Sequence, residues 1–270
     1  MDKPVLYIIK VGGHLIDDQK RLAAFLQLFS NLPATTNTGI PIHKLLVHGG
    51  GKMATQLSEQ LGVPAQMVEG RRITDSETLK IVTMVYGGYL NKQLVVQLQQ
   101  LGCNALGLTG ADGNAVLAHK RENTQIEYGW VGDIDQVNSE LFKTLLKTGI
   151  VPVVAPLTHN GKGQLLNTNA DTLAQELAVS LSNTFTTSLL FTFEKEGVLA
   201  DLAQEDSLLS SVNADEYHHL KAEGKIFAGM VPKLDNAFKA LEAGVNQVLI
   251  GKAEKLHELI QGKAGTTLVK

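Results

Sequence analysis

The sequence is poor in cysteine, since its 270 residues include only Cys103. A single thiol excludes an internal disulfide and any zinc site built from several cysteines, and it suits a reducing compartment. The sequence also has no apolar run of about 18 residues, the length that a membrane-spanning helix needs. The apolar run near the N-terminus, Val5 to Val11, is too short for a signal peptide. A cytoplasmic protein without membrane contact is therefore expected.

The chain has little net charge. Its formal charge is −3 and its pI is about 6.2, so no overall electrostatic field recruits nucleic acid or an anionic membrane. Any phosphate-binding site must therefore be local. With 44% hydrophobic and 19% charged residues, the chain can bury the core of one large domain or of two lobes.

Both common nucleotide-binding fingerprints are missing. The chain has no G-x-G-x-x-G motif, and Gly49-Gly50-Gly51 lacks the spacer of a P-loop, with Met53 where Ser or Thr would bind magnesium. The three glycines nevertheless follow a predicted strand, Lys44 to His48, and precede a predicted helix, Lys52 to Leu61. This order presents backbone N–H groups to anions, although a tight turn alone would also explain the glycines.

What the sequence does contain is an alternation of short apolar strands and amphipathic helices, which is typical of a parallel α/β fold. One helix is predicted to run from Ser76 to Leu101, with apolar residues on more than one face. Gly87-Gly88 in this helix would permit the close approach of another element, such as a second subunit. We predict a boundary between two lobes, residues 1–183 and 184–270. The other predicted strands are Val5 to Val11, Asn104 to Thr109, Ile150 to Ala155, Ser188 to Phe193, Asn246 to Ile250 and Thr266 to Val269, with hairpins near residues 65–74 and 115–134.

A few polar residues have positions in the sequence that suggest a function. Lys10 lies near the end of a core strand, where it could snorkel to solvent or bind an anion. Arg72 fits a carboxylate clamp or an ordinary surface charge. Asn169 or Asn167 could cap the helix that follows, but the pentapeptide Asn167 to Asp171 has more polar side chains than one helix cap requires. Asp133 and Asp135 favour a solvated hairpin over a metal site, and the histidines lack metal-ligand spacing.

Five motifs in order resemble the amino acid kinase family, and the resemblance covers nearly the whole chain. Arg72 and the pentapeptide are most similar to members that phosphorylate N-acylated glutamate. The motifs are Lys10-Val-Gly-Gly13, His48-Gly-Gly-Gly51, Gly70-Arg-Arg-Ile-Thr74, Asn167-Thr-Asn-Ala-Asp171 and Gly229-Met-Val-Pro-Lys233.

The resemblance implies a three-layer αβα sandwich around a mainly parallel sheet, with two lobes. It also implies ATP-dependent phosphorylation of the side-chain carboxylate of N-acetyl-L-glutamate, as in arginine biosynthesis. N-succinyl-L-glutamate is an alternative substrate, and a non-catalytic sensor of an amino acid derivative is an alternative of another class. Magnesium would be held mainly by ATP, with no metal site of the protein's own.

The resemblance also assigns roles. Lys10 and Lys233 would neutralise phosphates, with Asp171 holding both ammonium groups in place. The implied catalytic set is Lys10, Gly13, Gly50, Asp171 and Lys233. The implied N-acylglutamate site, in the N-terminal lobe, is Gly49, Gly50, Arg72 and Asn167. The implied ATP site, in the C-terminal lobe, uses Lys10, Gly12, Glu194, Gly197 and Lys233.

This chain departs from the family pattern at three places. Phe193-Glu194-Lys195 replaces the usual Ser-Asp-Val of the nucleotide lobe, and Ala111 stands where many relatives have lysine. The chain also begins at its first strand, without the N-terminal helix through which arginine-inhibited hexamers interlace. We therefore expect a homodimer that is insensitive to arginine.

Overall fold

The structure, a computed structural model, describes residues 2–68, 71–122, 125–200, 204, 207–226 and 230–270. Two predicted motif residues, Gly70 and Gly229, lie outside these ranges. The strands are β1 (Val5–Val11), β2 (Ile42–His48), β3 (Met67–Val68), β4 (Arg71–Arg72), β5 (Ala105–Leu108), β6 (Val116–Lys120), β7 (Gly132–Val137), β8 (Val151–Val154), β9 (Leu157–His159), β10 (Leu165–Asn167), β11 (Thr186–Phe193), β12 (Ser211–Val212), β13 (Gln247–Lys252) and β14 (Thr266–Leu268).

The helices alternate with these strands. A π-helix, Thr83–Leu90, connects α4 to α5, and two short 3₁₀ helices cover Asp112–Asn114 and Ala253–Lys255. The α-helices are α1 (Gly13–Asp17), α2 (Gln19–Ser30), α3 (Gly51–Gln60), α4 (Ser76–Val82), α5 (Asn91–Gln100), α6 (Ser139–Lys147), α7 (Ala170–Leu181), α8 (Ala214–Ala222), α9 (Val231–Glu242) and α10 (Leu256–Ile260).

The chain divides into two compact units. The terminal unit consists of Met1–Lys44 with Ala174–Lys270, and the middle unit consists of Leu45–Leu173. This division differs from the predicted boundary at residues 183 and 184. The physical reason is that β1 pairs in parallel with β11 along its whole length, so the first strand belongs with the C-terminal strands.

In the terminal unit, β1, β11 and β13 are parallel neighbours, β14 is antiparallel to β13, and β12 pairs with β14. Ile8 and Ile9, which point to opposite faces of β1, are both fully buried. Burial on both faces explains why this strand is a continuous apolar run instead of an alternating one.

In the middle unit, β2, β8 and β5 are parallel neighbours. A second group, in the order β10-β9-β6-β7, contains the predicted hairpin of β6 with β7, and β3 with β4 forms the other predicted hairpin. The predicted α/β class with a mainly parallel sheet is confirmed.

The predicted helix from Ser76 to Leu101 is continuous, but its central part is a π-helix. The predicted close approach is confirmed at Gly87, where a Cβ atom would lie 3.1 Å from Leu157 Cδ1. The short α1 and the whole of α8 were not predicted. Five residues, the length of α1, are too few to show helical periodicity.

Candidate functional site

The middle unit contains a pocket, here called the arginine pocket, whose described lining residues include three arginines and no carboxylate. This charge pattern suits an anionic ligand. The pocket is lined by Gly49, Gly50, Gly51, Met67, Arg71, Arg72, Tyr86, Arg121, Val131, Gly132, Pro156, Asn167, Thr168, Asn169, Ala170 and Thr172.

One wall of the arginine pocket is the glycine turn between β2 and α3. Gly50 has a φ of 150°, and a Cβ atom there would lie 2.4 Å from Leu90 Cδ1. Only glycine fits this conformation and this space. The turn leads into the first residues of α3, whose N–H groups have no partners within the helix. The predicted presentation of N–H groups to an anion is therefore physically sound at this turn.

Arg72 is buried beside this turn, with a relative exposure of 7%. Its Nη2 donates hydrogen bonds to Gly51 O at 2.9 Å and to Thr55 Oγ1 at 2.7 Å. Its Nη1 is buried and has no hydrogen-bond partner among the described residues. A buried guanidinium with an unused donor favours the carboxylate clamp over the surface charge.

Arg121 is a pocket residue that sequence reasoning missed. Its Nε donates to both carboxylate oxygens of Asp133, at 3.1 and 3.0 Å, and its Nη2 also contacts Asp133. The hydrogen bonds from Arg121 hold the pKa of Asp133 below its usual value. Nη1 of Arg121 is buried without a hydrogen-bond partner in the described part of the chain. The available signal was its position just after β6, across the hairpin from Asp133.

Both hairpin acids thus have side-chain partners. Asp133 faces Arg121, and Asp135 Oδ1 lies 2.6 Å from His119 Nδ1. The predicted solvated hairpin is correct in part for Asp135, whose side chain is 43% exposed. Within the described ranges, no group of three His, Cys, Asp or Glu residues could hold a metal ion.

The pentapeptide divides into a pocket residue and a helix cap. Asn167 ends β10, lines the pocket, and donates from Nδ2 to Thr74 Oγ1 at 3.0 Å. Asn169 Oδ1 accepts hydrogen bonds from the backbone N–H groups of Asp171 (2.9 Å) and Thr172 (3.0 Å). Of the two predicted caps of α7, Asn169 is therefore the one used. Asp171 lies in the first turn of α7.

The terminal unit contains a second pocket, here called the lysine pocket. Its described lining includes four fixed cations, Lys10, Arg21, Lys195 and Lys233, and one carboxylate, Glu194. An excess of cations over carboxylates suits a polyanion. The described lining is Lys10, Gly12, Gly13, His14, Leu15, Arg21, Phe193, Glu194, Lys195 and Lys233.

The lysine pocket lies at the carboxyl ends of β1 and β11. Thr192 Oγ1 donates to Lys10 O at 3.0 Å, and the Gly12 N–H donates to Thr192 O at 3.2 Å. Lys10 is only 9% exposed, and Lys233 comes from the first turn of α9. Ligand sites of open parallel sheets occur at this end of the strands.

Arg21 is a charged residue of the lysine pocket that sequence reasoning did not single out. Its Nε lies 2.6 Å from Glu254 Oε1, and its Nη1 lies 3.5 Å from Glu194 Oε1. Burial raises the pKa of Glu254, but the hydrogen bond from Arg21, together with a backbone hydrogen bond and nearby cations, lowers it by more, so that the pKa is below its usual value. Arg21 thus contacts Glu194, which was predicted for the ATP site, and also pairs with Glu254 at the wall of the lysine pocket.

Gly197 is not among the described residues that line the lysine pocket. A Cβ atom at this glycine would lie 2.6 Å from Thr266 Oγ1 and 2.7 Å from Leu208 Cδ1. The structure thus gives Gly197 a close packing contact, and its predicted contact with ATP stays a prediction.

Comparison with known proteins identifies the class. Residues 6–252 match the model of the amino acid kinase family. The chain therefore belongs to the amino acid kinase family, as its five motifs predicted.

Within that family, the chain is similar to acetylglutamate kinases. The chain is 54% identical to the acetylglutamate kinase of Cytophaga hutchinsonii over 98% of both chains. It is 49% identical to the acetylglutamate kinase of Phocaeicola vulgatus over 95% of this chain and 96% of the relative.

A solved structure supports the fold alone. N-acetylglutamate synthase from Neisseria gonorrhoeae, complexed with coenzyme A and N-acetyl-glutamate, matches with a TM-score of 0.80 at 21% identity. The match covers 100% of this chain and 60% of that longer chain. None of the described helices has the length and apolar character needed to cross a membrane.

Proposed function

We propose that this chain is an acetylglutamate kinase, which transfers the γ-phosphoryl group of ATP to the side-chain carboxylate of N-acetyl-L-glutamate. A carboxylate oxygen forms a bond to phosphorus, the bond from phosphorus to the β–γ bridging oxygen breaks, and ADP leaves. The products are an acyl phosphate and ADP. The observation that carries the proposal is that all four residues predicted for the acyl amino acid, Gly49, Gly50, Arg72 and Asn167, line one pocket.

The arginine pocket is the proposed site of N-acetylglutamate. The unused Nη1 of Arg72 supports its role as a clamp for the α-carboxylate. Asn167 can accept or donate a hydrogen bond at the N-acyl group. The glycine turn supplies N–H donors for the oxygen atoms at the reacting end.

The lysine pocket is the proposed site of the ATP phosphates. Lys10 and Lys233 would neutralise them, and the predicted role of Asp171, holding these two ammonium groups in place, is part of the proposal. Gly12 and Gly13 at the end of β1 allow the backbone to lie close to the phosphates. Mg²⁺, held mainly by phosphate oxygens, would supply further charge neutralisation.

This distribution of residues fits the chemistry, which needs no general base. A glutamate-type carboxyl group has an ordinary pKa near 4.3, so it is an ionised nucleophile at neutral pH. The obstacle is repulsion, because two like charges at about 4 Å repel by roughly 4 kcal/mol at an effective dielectric of 20. Cations and fixed N–H donors offset that repulsion.

The test is ATP turnover by the purified chain with N-acetyl-, N-succinyl- and free L-glutamate. Trapping the acyl phosphate with hydroxylamine should give product with N-acetyl-L-glutamate. The N-succinyl alternative is less favoured, because the similar proteins above are named for acetylglutamate. Ligand binding without acyl phosphate from any of the three would contradict the proposal and support a sensor.

We also propose that the chain forms a homodimer through the helical segment 76–100. Met84, Tyr89 and Val96 on this segment are 53%, 58% and 59% exposed, and Leu106 on β5 is 39% exposed. Apolar side chains of this size are a feature of protein interfaces. The predicted insensitivity to arginine and the predicted cytoplasmic location are retained as part of the proposal.

The test of the dimer is the mass in solution of Tyr89→Glu. A dimer in the unmodified chain and a monomer in the variant are expected. Leu61→Glu, which changes an equally exposed leucine (56%) at the end of α3, is the matched control and should remain dimeric. An unmodified chain that is monomeric or hexameric in solution would contradict the proposal.

A further inference from the structure

A chain of hydrogen bonds ends at the glycine turn of the arginine pocket. It begins at Lys92, whose Nζ donates to Asn91 Oδ1 at 3.0 Å. Asn91 Nδ2 lies 3.2 Å from His48 Nε2 and donates to Val153 O at 2.9 Å. His48 Nδ1 lies 2.8 Å from Gly49 O. His48 is 0% exposed and Asn91 is 1% exposed, so these two residues lie inside the protein, whereas Lys92 is exposed at the outer end of the chain of contacts.

The contacts define the orientation of the Asn91 amide. Its oxygen faces the Lys92 ammonium, and its nitrogen faces the Val153 carbonyl. The reverse orientation would place two donors together at Lys92 and two acceptors together at Val153. The NH₂ group therefore faces His48 Nε2, which must accept the hydrogen bond.

The tautomer of His48 follows from that orientation. With Nε2 as an acceptor, the proton of the neutral ring is on Nδ1, which donates to Gly49 O. Burial lowers the pKa of His48 to about 4, which agrees with a neutral ring. The direction of the Gly49 carbonyl is thus defined from the interior of the protein.

The Gly49–Gly50 peptide transmits this orientation to the pocket. In a trans peptide the C=O and N–H bonds point in opposite directions. A carbonyl directed at the buried His48 therefore directs the Gly50 N–H away from it, on the side where Gly49 and Gly50 line the pocket. A hydrogen bond to the carbonyl also polarises the peptide and strengthens its N–H as a donor.

The space around Asn91 is built for this arrangement. A Cβ atom at Gly107 would lie 1.9 Å from Asn91 Oδ1, so the amide occupies room that only a glycine leaves. Asn91 is also the first residue after the π-helix Thr83–Leu90, and π-helical segments often occur at functional sites.

We propose that His48, held by Asn91 as the neutral Nδ1–H tautomer, is a positioning residue that orients the Gly50 N–H toward the oxygens at the reacting end of the acyl amino acid. This inference rests on the proposed kinase function. Its effect is expected in kcat more than in KM, because a donor aligned with the transition state acts mainly on the chemical step.

A pair of substitutions separates positioning from structure. In His48→Asn, the side-chain NH₂ can take the place of the histidine Nδ1–H and keep a donor for Gly49 O. In His48→Gln, the NH₂ lies near the place of Nε2 and the bond to Gly49 is lost. We expect His48→Gln to lower kcat about tenfold to a hundredfold with little change in KM, and His48→Asn to remain within about threefold. Equal losses in both variants would overturn the proposal.

Control and independent measurements complete the test. His257→Asn removes another histidine contact to a carbonyl, from Nε2 to Leu28 O at 2.8 Å, because the Asn amide reaches only the place of Nδ1, and it should leave kcat unchanged. The ¹⁵N resonances of His48 in the unmodified chain should show a proton on Nδ1 and no titration between about pH 6 and 8. A proton on Nε2, or titration in that range, would overturn the proposal even if the His48 variants fail to fold. The absence of kinase activity in the unmodified chain would overturn the proposed function without affecting this measurement.

Discussion

The two pockets differ in the kind of cation that they use. The pocket of the middle unit has three arginines, whereas the pocket of the terminal unit has Lys10, Lys195 and Lys233 with a single arginine, Arg21. Arginine presents a planar fork that matches a carboxylate at two points, whereas lysine is a compact point charge. The difference indicates that the first pocket orients its ligand and the second mainly neutralises charge.

Two arginines of the arginine pocket are fixed by contacts within the protein. Arg72 and Arg121 are each held by hydrogen bonds on part of the guanidinium, and each keeps a buried Nη1. Such fixed donors reduce the entropy lost when a ligand binds. Interactions made equally with substrate and transition state affect KM, and those made more strongly in the transition state affect kcat.

The largest expected effect is that of Lys233→Ala in the lysine pocket. Loss of this cation should lower kcat by about a hundredfold or more, as does the loss of one donor from an oxyanion hole. Steady-state kinetics with both substrates would measure it. Lys239→Ala, on the exposed side of the same helix α9, is the control. A kcat near that of the unmodified chain would remove Lys233 from the catalytic set. It would also contradict the view that the lysine pocket neutralises charge.

Gly50→Ala should affect both catalysis and stability in the arginine pocket. At a φ of 150°, the added Cβ atom would lie 2.4 Å from Leu90 and 3.0 Å from Tyr86. Strain and overpacking of this kind cost about 1–3 kcal/mol, and the displaced turn should also lower kcat. Thermal unfolding and kcat should be measured together. Gly149→Ala, at a φ of 78° but with no atom within 4 Å of the added Cβ, is the control because it shares the strain without the overpacking, and equal stability of the two variants would contradict the assigned geometry.

Arg72→Ala should raise the KM for N-acetyl-L-glutamate about tenfold or more and change kcat less. A hydrogen bond to a charged group contributes about 1.5–3 kcal/mol, and a clamp acts largely on the bound substrate. Arg72→Lys should also raise KM, because lysine keeps the charge but not the fork. Lys80→Ala, in the exposed pair with Glu77, is the control. If neither Arg72 variant changes KM, the two pockets do not differ in the way described above.

The smallest expected effect is that of Asp133→Asn. The Arg121 hydrogen bonds lower the pKa of Asp133 in the folded chain, so the pair stabilises the fold at pH values above the unfolded pKa near 3.9 and loses this contribution as the pH falls below it. Because the Asp133 side chain is 37% exposed, screening limits the contribution to below about 1 kcal/mol. The free energy of unfolding, measured with denaturant, should be lower for Asp133→Asn than for the unmodified chain at pH 7. At about pH 3 this difference should be smaller. An equal difference at both pH values would mean that the ion pair is not its cause.

Local sequence patterns predicted the α/β class, and the four residues predicted for the acyl amino acid line one pocket. Apolar strand runs such as Val5 to Val11 depend on local composition, and the order of five short motifs identified the family, which the match over residues 6–252 confirms. A glycine turn is recognisable from one residue type, so the turn at Gly49 and Gly50 could be predicted from the sequence. Helix capping is also local, so the sequence offered Asn167 and Asn169 as caps of α7, and the structure shows that Asn169 is the cap.

Tertiary structure alone decided what depends on residues far apart in the chain. The β1–β11 pairing joins segments about 180 residues apart and places the first strand with the C-terminal part. Arg121, Arg21 and the path from Lys92 through Asn91 to His48 gain their significance from burial and hydrogen bonds that no local pattern encodes. The π-helix between α4 and α5 also depends on packing, because its residues have the same apolar pattern as an ordinary buried helix.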